Sequence, residues 1–299
     1  MTVQPPEDDG PAQRDPAAQE PATCYRHPDR EAYIRCTRCE RRICPDCMVP
    51  AAVGFQCPQC VREGNKDVRE ARTLFGGRVS DDPGWVSKVL IGLNVIAFVL
   101  EYTVSDFKTR FFDVGLAFDP TANETIGVAA GEYYRLLTSA FLHEGPVHLL
   151  LNMYALYLFG PQLEAALGRV RFTALYVVSA LGGSALSYAF SPPSQPSLGA
   201  SGAVFGLLGA FLVVNRRLGR DSTSVLVLLA LNFAYGFLVP RIDWRAHLGG
   251  LVAGALVAVA VAYAPPQRRG LVQAVGILAT LLAVVAVIVW RTAELRGGG

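Results

Sequence analysis

Three short stretches in the apolar part of the chain decide the fold. They read FLHEGPVHLLLNMYALYLFGPQLE at residues 141–164, LGASGAVFGLLGA at residues 198–210 and AHLGGLVAG at residues 246–254. Each combines an apolar run with histidine, asparagine or serine, and small residues recur in them at four-residue intervals. Polar groups inside membrane spans are energetically costly and therefore point to a function. We interpret the three stretches as one polar site between closely packed helices.

The composition indicates a membrane protein with a polar N-terminal part. Of the 299 residues, 52% are hydrophobic and 17% are charged, whereas soluble domains usually carry about 25% charged residues. The apolar runs begin at Trp85. The net charge of +2 gives no support for a nucleic-acid partner. We therefore expect the chain from Trp85 onward to lie in the lipid bilayer, and we expect no nucleic-acid partner.

Seven segments are apolar enough to form spanning helices, each of which needs about 20 residues. They are residues 85–104, 148–167, 172–190, 201–215, 222–239, 246–264 and 271–290. The expected fold class is therefore an all-α polytopic membrane protein. The fourth segment is short and begins at Ser201, so its start is expected in a cavity below the membrane surface.

The loop charges favour a cytoplasmic N-terminus, because basic residues concentrate on the cytoplasmic side of membrane proteins. With this orientation, the cytoplasmic ends carry the basic pairs at residues 216–217 and 268–269. The second, fourth and sixth segments then all begin on the outer side, which brings His148, Ser201 and His247 to a similar depth. We expect a multi-pass protein of the cell membrane.

The spacing of the polar residues suggests a common site. Asn152 follows His148 by four residues, so both project from one face of a helix. Gly199 and Gly202 flank Ser201 and leave the backbone near its hydroxyl open.

Two stripes of small residues predict a close helix pair. The first stripe is Gly202, Gly206 and Ala210, and the second is Ala246, Gly250 and Gly254. If the stripes face each other, Ser201 and His247 come within hydrogen-bonding reach. A serine needs such a neighbouring base to become a nucleophile.

The three stretches, in this order, resemble the rhomboid family of intramembrane serine proteases. They match its His-x-x-x-Asn helix, its Gly-x-Ser-Gly nucleophile and its Ala-His-x-x-Gly-x-x-x-Gly helix. The resemblance also includes residues 131–143, where Tyr134 stands at the position of the family's usual tryptophan before Arg135. It implies a six-helix catalytic core over residues 85–265, with a seventh transmembrane helix and a C-terminal tail over residues 266–299.

The resemblance also implies an endopeptidase that cuts transmembrane segments of other membrane proteins. Ser201 would attack the scissile carbonyl and His247 would take its proton. The oxyanion would be held by His148, Asn152 and the backbone N–H of Ser201. Three further residues would support the site: Gly199, Gly202 and Phe205, the last by stacking on the histidine. No metal is expected at this site.

Other interpretations remain open. A catalytically inactive rhomboid-like scaffold that binds membrane proteins is disfavoured because Ser201 and His247 are both present. A transporter or channel would be expected to show internal repeats and charged residues at mid-membrane, and neither is apparent in the sequence. A zinc-dependent ligase or adaptor with a membrane anchor would not need serine, histidine and asparagine on three helices.

The seven cysteines lie within residues 23–61 and form close pairs with one histidine. The pairs are Cys24/His27, Cys36/Cys39, Cys44/Cys47 and Cys57/Cys60. Eight ligands suit two tetrahedral zinc ions. Disulfides would leave one cysteine over and would conflict with a cytoplasmic location. We expect two structural zinc ions, held by either sequential or interleaved pairs.

The spacing of the pairs resembles the B-box-type zinc finger, which is cross-braced. On that resemblance, one site is Cys24, His27, Cys44 and Cys47, and the other is Cys36, Cys39, Cys57 and Cys60. Such a small module needs metal to fold, and we expect it to contact a protein partner or regulate the enzyme. Residues 1–22 are expected to be a disordered tail, and residues 62–84 a polar linker.

Overall fold

A computed structural model describes residues 22–66, 71–120, 123–239 and 242–297 of the chain. The chain divides into two compact units, Met1–Glu70 and Ala71–Gly299. Apart from its last residue, the tail expected to be disordered lies outside the described residues. The same holds for residues 67–70 of the expected linker.

The smaller unit is built from short elements around its cysteines. Strand β1 (Ile34–Arg35) pairs antiparallel with β2 (Arg42–Ile43), and β3 (Val49–Pro50) pairs with β4 (Phe55–Gln56). Helix α1 (Pro58–Lys66) follows. The buried apolar residues are six of the seven cysteines with Ala32 and Ile43, while Cys39 is half-buried. So small a core implies that apolar burial alone does not stabilise this unit.

The larger unit is helical over most of its described length. Its helices are α2 (Trp85–Thr103), α3 (Phe107–Phe111), α4 (Arg135–Thr138), α5 (Pro146–Leu167), α6 (Arg169–Phe190), α7 (Ser201–Arg217), α8 (Thr223–Leu238), α9 (Trp244–Ala262) and α10 (Arg269–Gly297). A hairpin of β5 (Ala117–Asp119) and β6 (Glu124–Ile126) lies between α3 and α4. Each of the seven segments predicted from hydropathy overlaps one of these helices.

Among the described residues, four stretches are long and apolar enough to cross a membrane: α2, α6, α9 and Pro266–Gly297, which contains α10. Helix α8 is apolar but shorter, at 16 residues. Helix α6 begins at Arg169, three residues before its predicted start, because Gly168 alone separates it from α5. Gly168 has φ +81°, a conformation that favours glycine, and it turns the chain directly from one helix into the next.

Helices α6, α7 and α9 pack with their backbones in contact. A Cβ added to Gly250 would strike the carbonyl oxygen of Gly202, and one added to Gly254 would strike that of Gly206. Gly183 on α6 lies against the Cα of Gly202. The two small-residue stripes therefore face each other, as the sequence predicted.

A buried carboxylate joins α2 to α5. Glu164 is 2% exposed. It accepts hydrogen bonds of 3.1 Å from the backbone N–H groups of Val86 and Ser87 and from the Ser87 hydroxyl. The N–H groups of a first helical turn have no partner within the helix. A carboxylate is also favourable at a helix N-terminus. Glu164, a residue of α5, therefore provides the hydrogen-bond acceptor that the first N–H groups of α2 lack within their own helix.

The second half of the expected linker folds onto the larger unit instead. Thr73 and Gly77 close a turn through an N–H···O bond of 2.8 Å. Phe75, at the tip of this turn, is 6% exposed and belongs to the main hydrophobic cluster. Residues 62–66 belong to α1, so the smaller unit continues past the expected end at residue 61. Burial of the Phe75 side chain attaches this stretch to the larger unit, whereas its neighbour Leu74 is mostly exposed.

The contact between α7 and α9 predicts the effect of a single added methyl group. We expect Gly250→Ala to lower the melting temperature in detergent, because its Cβ would meet the Gly202 carbonyl and overpacking costs about 1–3 kcal/mol. Gly92→Ala on α2 is the matched control, since nothing lies within 4 Å of a Cβ added there. Equal melting temperatures for the two variants would contradict the described packing.

Candidate functional site

Ser201 and His247 meet at the N-terminal ends of two helices. Ser201 is the first residue of α7, and His247 lies in the first turn of α9. Nε2 of His247 is 2.9 Å from Oγ of Ser201, a normal hydrogen-bonding distance. The backbone contact between Gly202 and Gly250 makes this approach possible. The arrangement allows the imidazole to accept the serine proton.

Phe205 fixes the plane of the His247 ring. The two rings are stacked, with centroids 4.1 Å apart and planes 8° apart. Phe233 of α8 in turn meets Phe205 edge-on, with centroids 5.3 Å apart. This stack restricts rotation of the imidazole, so Nε2 keeps its direction toward Ser201.

In the described part of the chain, Nδ1 of His247 is buried and has no hydrogen-bond partner. Asp243 precedes it by one turn, but its Oδ1 accepts the backbone N–H groups of Arg245 and Ala246, at 3.1 and 3.2 Å. The arrangement is therefore a serine–histidine pair and not a triad.

Asp243 holds the start of α9 in place. Its Oδ2 accepts hydrogen bonds from Ser187 on α6 and from Ser197, the latter at 2.7 Å. An aspartate at this position stabilises a helix by accepting its first N–H groups. From the sequence alone, Asp243 is interpreted only as part of a short outer loop. Its place directly before an apolar helix is the signal that could have found it.

A second buried carboxyl group, Asp113, lies close to Asp243. The backbones of Asp113 and Ser197 exchange two hydrogen bonds, of 2.9 and 2.8 Å. Burial raises the pKa of Asp113 to about 8, and the charge of Asp243 adds to this, while Arg135 acts in the opposite direction. Asp113 is therefore mostly protonated at pH 7 and does not repel the helix-capping carboxylate.

His148 and Gly199 form the wall beside the serine. Gly199 has φ +131°, and a Cβ added there would lie 3.1 Å from Nε2 of His148 and 3.6 Å from Oγ of Ser201. Nδ1 of His148 accepts the N–H of Glu144 at 3.4 Å. In a neutral ring this leaves the proton on Nε2. A hydrogen-bond donor beside the serine is what an oxyanion site requires.

Asn152 lies one turn after His148 on the same helix. It is 5% exposed, and its Nδ2 donates to the carbonyl oxygen of His148 at 2.9 Å. The amide has a second N–H for another acceptor. The backbone N–H of Ser201 begins α7, where N–H groups have no partner within the helix.

The ring of His143 packs against the ring of His148. Their ring centroids are 5.1 Å apart. The backbone N–H of His143 donates to Glu101 at 2.8 Å, and its carbonyl accepts from Lys108 at 2.9 Å. Burial, with a smaller effect from His148, lowers the pKa of His143 to about 4. The ring is therefore neutral, in keeping with a structural role.

Arg135 anchors the loop that connects α3 to α4. It is 2% exposed, and its Nη1 donates to the carbonyl oxygens of Thr109 and Phe112, at 2.8 and 3.2 Å. Its Nε donates to Glu132 at 2.7 Å. Tyr134, at the position of the family's usual tryptophan, donates to the same carboxylate at 2.9 Å. The pair therefore holds the loop between α3 and α4.

The eight expected metal ligands form two clusters in the smaller unit. One is Cys24, His27, Cys44 and Cys47, and the other is Cys36, Cys39, Cys57 and Cys60. Within each cluster, the four potential ligand atoms lie within 4.8 Å of one another. These are the interleaved sets and not the sequential ones.

The spacing within the clusters fits a tetrahedral metal ion. Nδ1 of His27 lies 3.3 Å from the sulfur of Cys44 and 3.5 Å from that of Cys47. Zinc with tetrahedral bonds of about 2.0–2.3 Å separates its ligand atoms by about 3.5–3.8 Å. In the second cluster, the sulfur atoms of Cys39 and Cys57 are 3.8 Å apart.

Hydrogen bonds from backbone N–H groups stabilise the thiolate form of Cys36. Burial acts to raise the pKa of Cys36, but the N–H groups of Cys57, Arg38 and Cys39 together hold it at about 6. The N–H of Cys57 donates to the Cys36 sulfur at 3.2 Å. Because metals bind the thiolate, this environment favours a metal site.

Comparison with known proteins identifies the family of the larger unit. Residues 130–264 match the Rhomboid domain family. YdcA of Bacillus subtilis (strain 168) is 38% identical over 144 residues, which are 46% of this chain and 72% of YdcA. The chain belongs to the rhomboid family of serine-type intramembrane endopeptidases. This rhomboid is also 42% identical to the rhomboid protease GluP of the same organism, over 145 residues.

The relatives match only part of this chain. The similarity to GluP covers 47% of this rhomboid but only 28% of GluP. RHOMBOID-like protein 5 of Arabidopsis thaliana is 36% identical over 202 residues, which are 57% of this chain and 65% of the relative. The Rhomboid domain match contains Ser201, His247, His148 and Asn152, and it excludes the cysteine clusters and α10.

Proposed function

We propose that this rhomboid cleaves transmembrane segments of other membrane proteins, with Ser201 as nucleophile and His247 as general base. The observation that carries the proposal is the 2.9 Å contact between Oγ of Ser201 and Nε2 of His247. Stacking of the imidazole on Phe205 gives this contact a fixed direction. Membership of the rhomboid family supports the same reaction.

The reaction proceeds in two halves. Oγ of Ser201 attacks the scissile carbonyl carbon while Nε2 of His247 takes its proton. The imidazolium then protonates the leaving amine as the C–N bond breaks, which leaves an acyl group on the serine. Water, deprotonated by His247, attacks this ester, and the serine regains its proton as the new carboxyl end departs.

Three hydrogen-bond donors are available for the negative oxygen of the tetrahedral intermediate. They are Nε2 of His148, the second amide N–H of Asn152 and the backbone N–H of Ser201. Helices α5 and α7 begin beside the site, and the positive ends of their dipoles also favour negative charge there. Loss of one such donor typically lowers the rate by about 10²–10³-fold.

The arrangement in the membrane is part of the proposal. Seven spanning helices with a cytoplasmic N-terminus place α5, α7 and α9 with their N-terminal ends outward. The Ser–His pair then lies toward the outer side, where water and an unwound substrate segment meet. By analogy with the family, the substrates are membrane proteins with small, helix-weakening residues near that boundary.

We expect the purified protein, reconstituted in liposomes, to cut a single-span reporter, measured by gel electrophoresis. Ser201→Ala and His247→Ala should abolish cleavage, because each removes one partner of the 2.9 Å contact. His148→Ala and Asn152→Ala should each slow cleavage by about 10²–10³-fold.

The matched control is Ser224→Ala, since Ser224 is exposed on α8 and distant in sequence from the site. It should retain wild-type cleavage. A folded wild type that cuts no reporter, or a Ser201→Ala variant that still cuts, would contradict the proposal. The first outcome would favour the inactive scaffold.

We also infer that the two cysteine clusters hold one structural zinc ion each. Four protein ligands per ion fill a tetrahedral shell, so no position is open for catalysis. The ions would replace the hydrophobic core that the smaller unit lacks. A protein contact or a regulatory role fits such a module on the cytoplasmic side.

Metal analysis of paired variants tests the interleaved pairing. The full chain should bind two zinc ions, measured by plasma mass spectrometry. Cys36→Ser with Cys57→Ser should keep one ion, because both residues belong to one cluster. Cys24→Ser with Cys36→Ser should keep none. Sequential sites would give the opposite result for the two variants, and a metal-free wild type would contradict the zinc proposal.

A further inference from the structure

Two carboxyl groups share one polar region at the start of α9. Asp243 accepts hydrogen bonds from the hydroxyls of Ser187 and Ser197. Ser197 also exchanges two backbone hydrogen bonds with Asp113, of 2.9 and 2.8 Å. The charge of Asp243 acts on Asp113. Ser197 therefore connects Asp113 to the residue that caps α9.

A small cavity lies beside Asp113. Asp113 lines it together with Ser187, Ser191 and Gln195. Its volume is about 10 Å³, which is room for one water molecule. Ser187, which donates to Asp243, lies in the same wall. The cavity beside Asp113 is therefore too small to hydrate an ion fully.

The carboxyl oxygens of Asp113 are buried without a partner. Asp113 is 2% exposed, and among the described residues neither Oδ1 nor Oδ2 has a hydrogen-bond partner. An ionised carboxyl group in such a place lacks the hydrogen bonds and the water that stabilise its charge. Burial, with a further effect of Asp243, raises the pKa of Asp113 to about 8. The surroundings therefore favour the neutral acid.

Arg135 is the cation that acts on Asp113, but its hydrogen bonds are used elsewhere. Its Nε donates to Glu132 at 2.7 Å. Its Nη1 donates to the carbonyl oxygens of Thr109 and Phe112. The guanidinium therefore lowers the pKa of Asp113 without compensating the effect of burial.

Helices α6 and α10 bring further titratable groups to this region. Tyr188 on α6 lines the cavity and faces Asp113. Tyr133 and Arg291 act on Tyr188 in turn. Arg291 of α10 lies 3.1 Å from Glu294. Both arginines near the cavity, on α4 and α10, thus have acidic partners of their own.

We propose that Asp113, in its neutral form, is a positioning residue for His247 that acts through Asp243. While Asp113 carries no charge, Asp243 stays on the serines and on the first N–H groups of α9, which keeps the first turn of α9 in place. His247 lies in that turn, 2.9 Å from Oγ of Ser201. The inference rests on the proposed protease function, in which His247 is the base.

Loss of the Asp113 proton places a second negative charge beside Asp243. Like charges repel strongly where little water screens them. Asp243 is half-buried, whereas Asp113 is buried, so Asp243 is the group that moves toward water. The first N–H groups of α9 then lose their acceptor, and the His247 ring loses its alignment with Ser201. The rate of cleavage therefore falls as pH rises through about 8.

The pH dependence of reporter cleavage by the full-length protein tests the proposal. Between pH 7 and about pH 9, we expect kcat of wild type to fall by about tenfold, as the neutral fraction of a group with a pKa of about 8 does. KM should stay unchanged, because the substrate does not contact Asp113. Asp113→Asn cannot ionise, so its kcat should be nearly equal at the two pH values.

The matched control is Asp106→Asn. Asp106 is an exposed aspartate earlier in the same stretch, and its side chain forms no capping hydrogen bond. The kcat of this variant should fall with pH as that of wild type does. If Asp113→Asn does not fold, Asp113→Leu replaces it, since leucine also carries no charge and has a similar volume.

Equal falls of kcat in wild type and Asp113→Asn would overturn the inference, as would a constant kcat of wild type. A folded wild type without cleavage at pH 7 would instead contradict the proposed protease function, and melting temperature then tests Asp113 by itself. The folded chain keeps the Asp113 proton, which the unfolded chain releases near pH 3.8. Wild type should therefore lose stability relative to Asp113→Asn as pH rises from about 4 toward 8. A constant difference in melting temperature would overturn the inference.

Discussion

The contact between Ser201 and His247 depends on the close approach of α7 and α9. The two backbones leave no room for a Cβ between Gly202 and Gly250, nor one turn further along between Gly206 and Gly254. This packing brings the first turns of both helices together, and the hydrogen bond of 2.9 Å follows from it. Small residues at four-residue spacing are therefore as much a part of the proposed active site as the serine and the histidine.

Two carboxylates in the larger unit lie at helix ends, where they replace missing backbone partners. Glu164 accepts the first N–H groups of α2, and Asp243 accepts those of α9. Both side chains are carboxylates, which the helix dipole favours at an N-terminus. Asp113, beside Asp243, has no hydrogen-bond partner for its carboxyl oxygens among the described residues, and burial keeps it mostly protonated at pH 7 by raising its pKa to about 8. The bundle thus tolerates buried carboxyl groups by two different physical means.

Much of this architecture could be predicted from local sequence pattern. Length and apolarity place the helices, and the spacing of glycines places α7 against α9. What could not be predicted depends on contacts between distant residues. The backbone of Phe75 is held by hydrogen bonds to Ala166 and Gln273, which come from distant parts of the chain. The choice between sequential and interleaved metal ligands likewise needs the fold, since both use the same pairs. The role of Asp243 requires Ser187 and Ser197, which come from other segments.

Covalent labelling of the serine can show directly whether His247 activates Ser201. Purified protein in detergent is treated with a fluorophosphonate, digested and mapped by peptide mass spectrometry. We expect an adduct on the peptide that contains Ser201, and its loss in His247→Ala while the variant keeps its wild-type melting temperature. An adduct that forms equally well without the imidazole, or one on a different serine, would contradict the activation of Ser201 by His247.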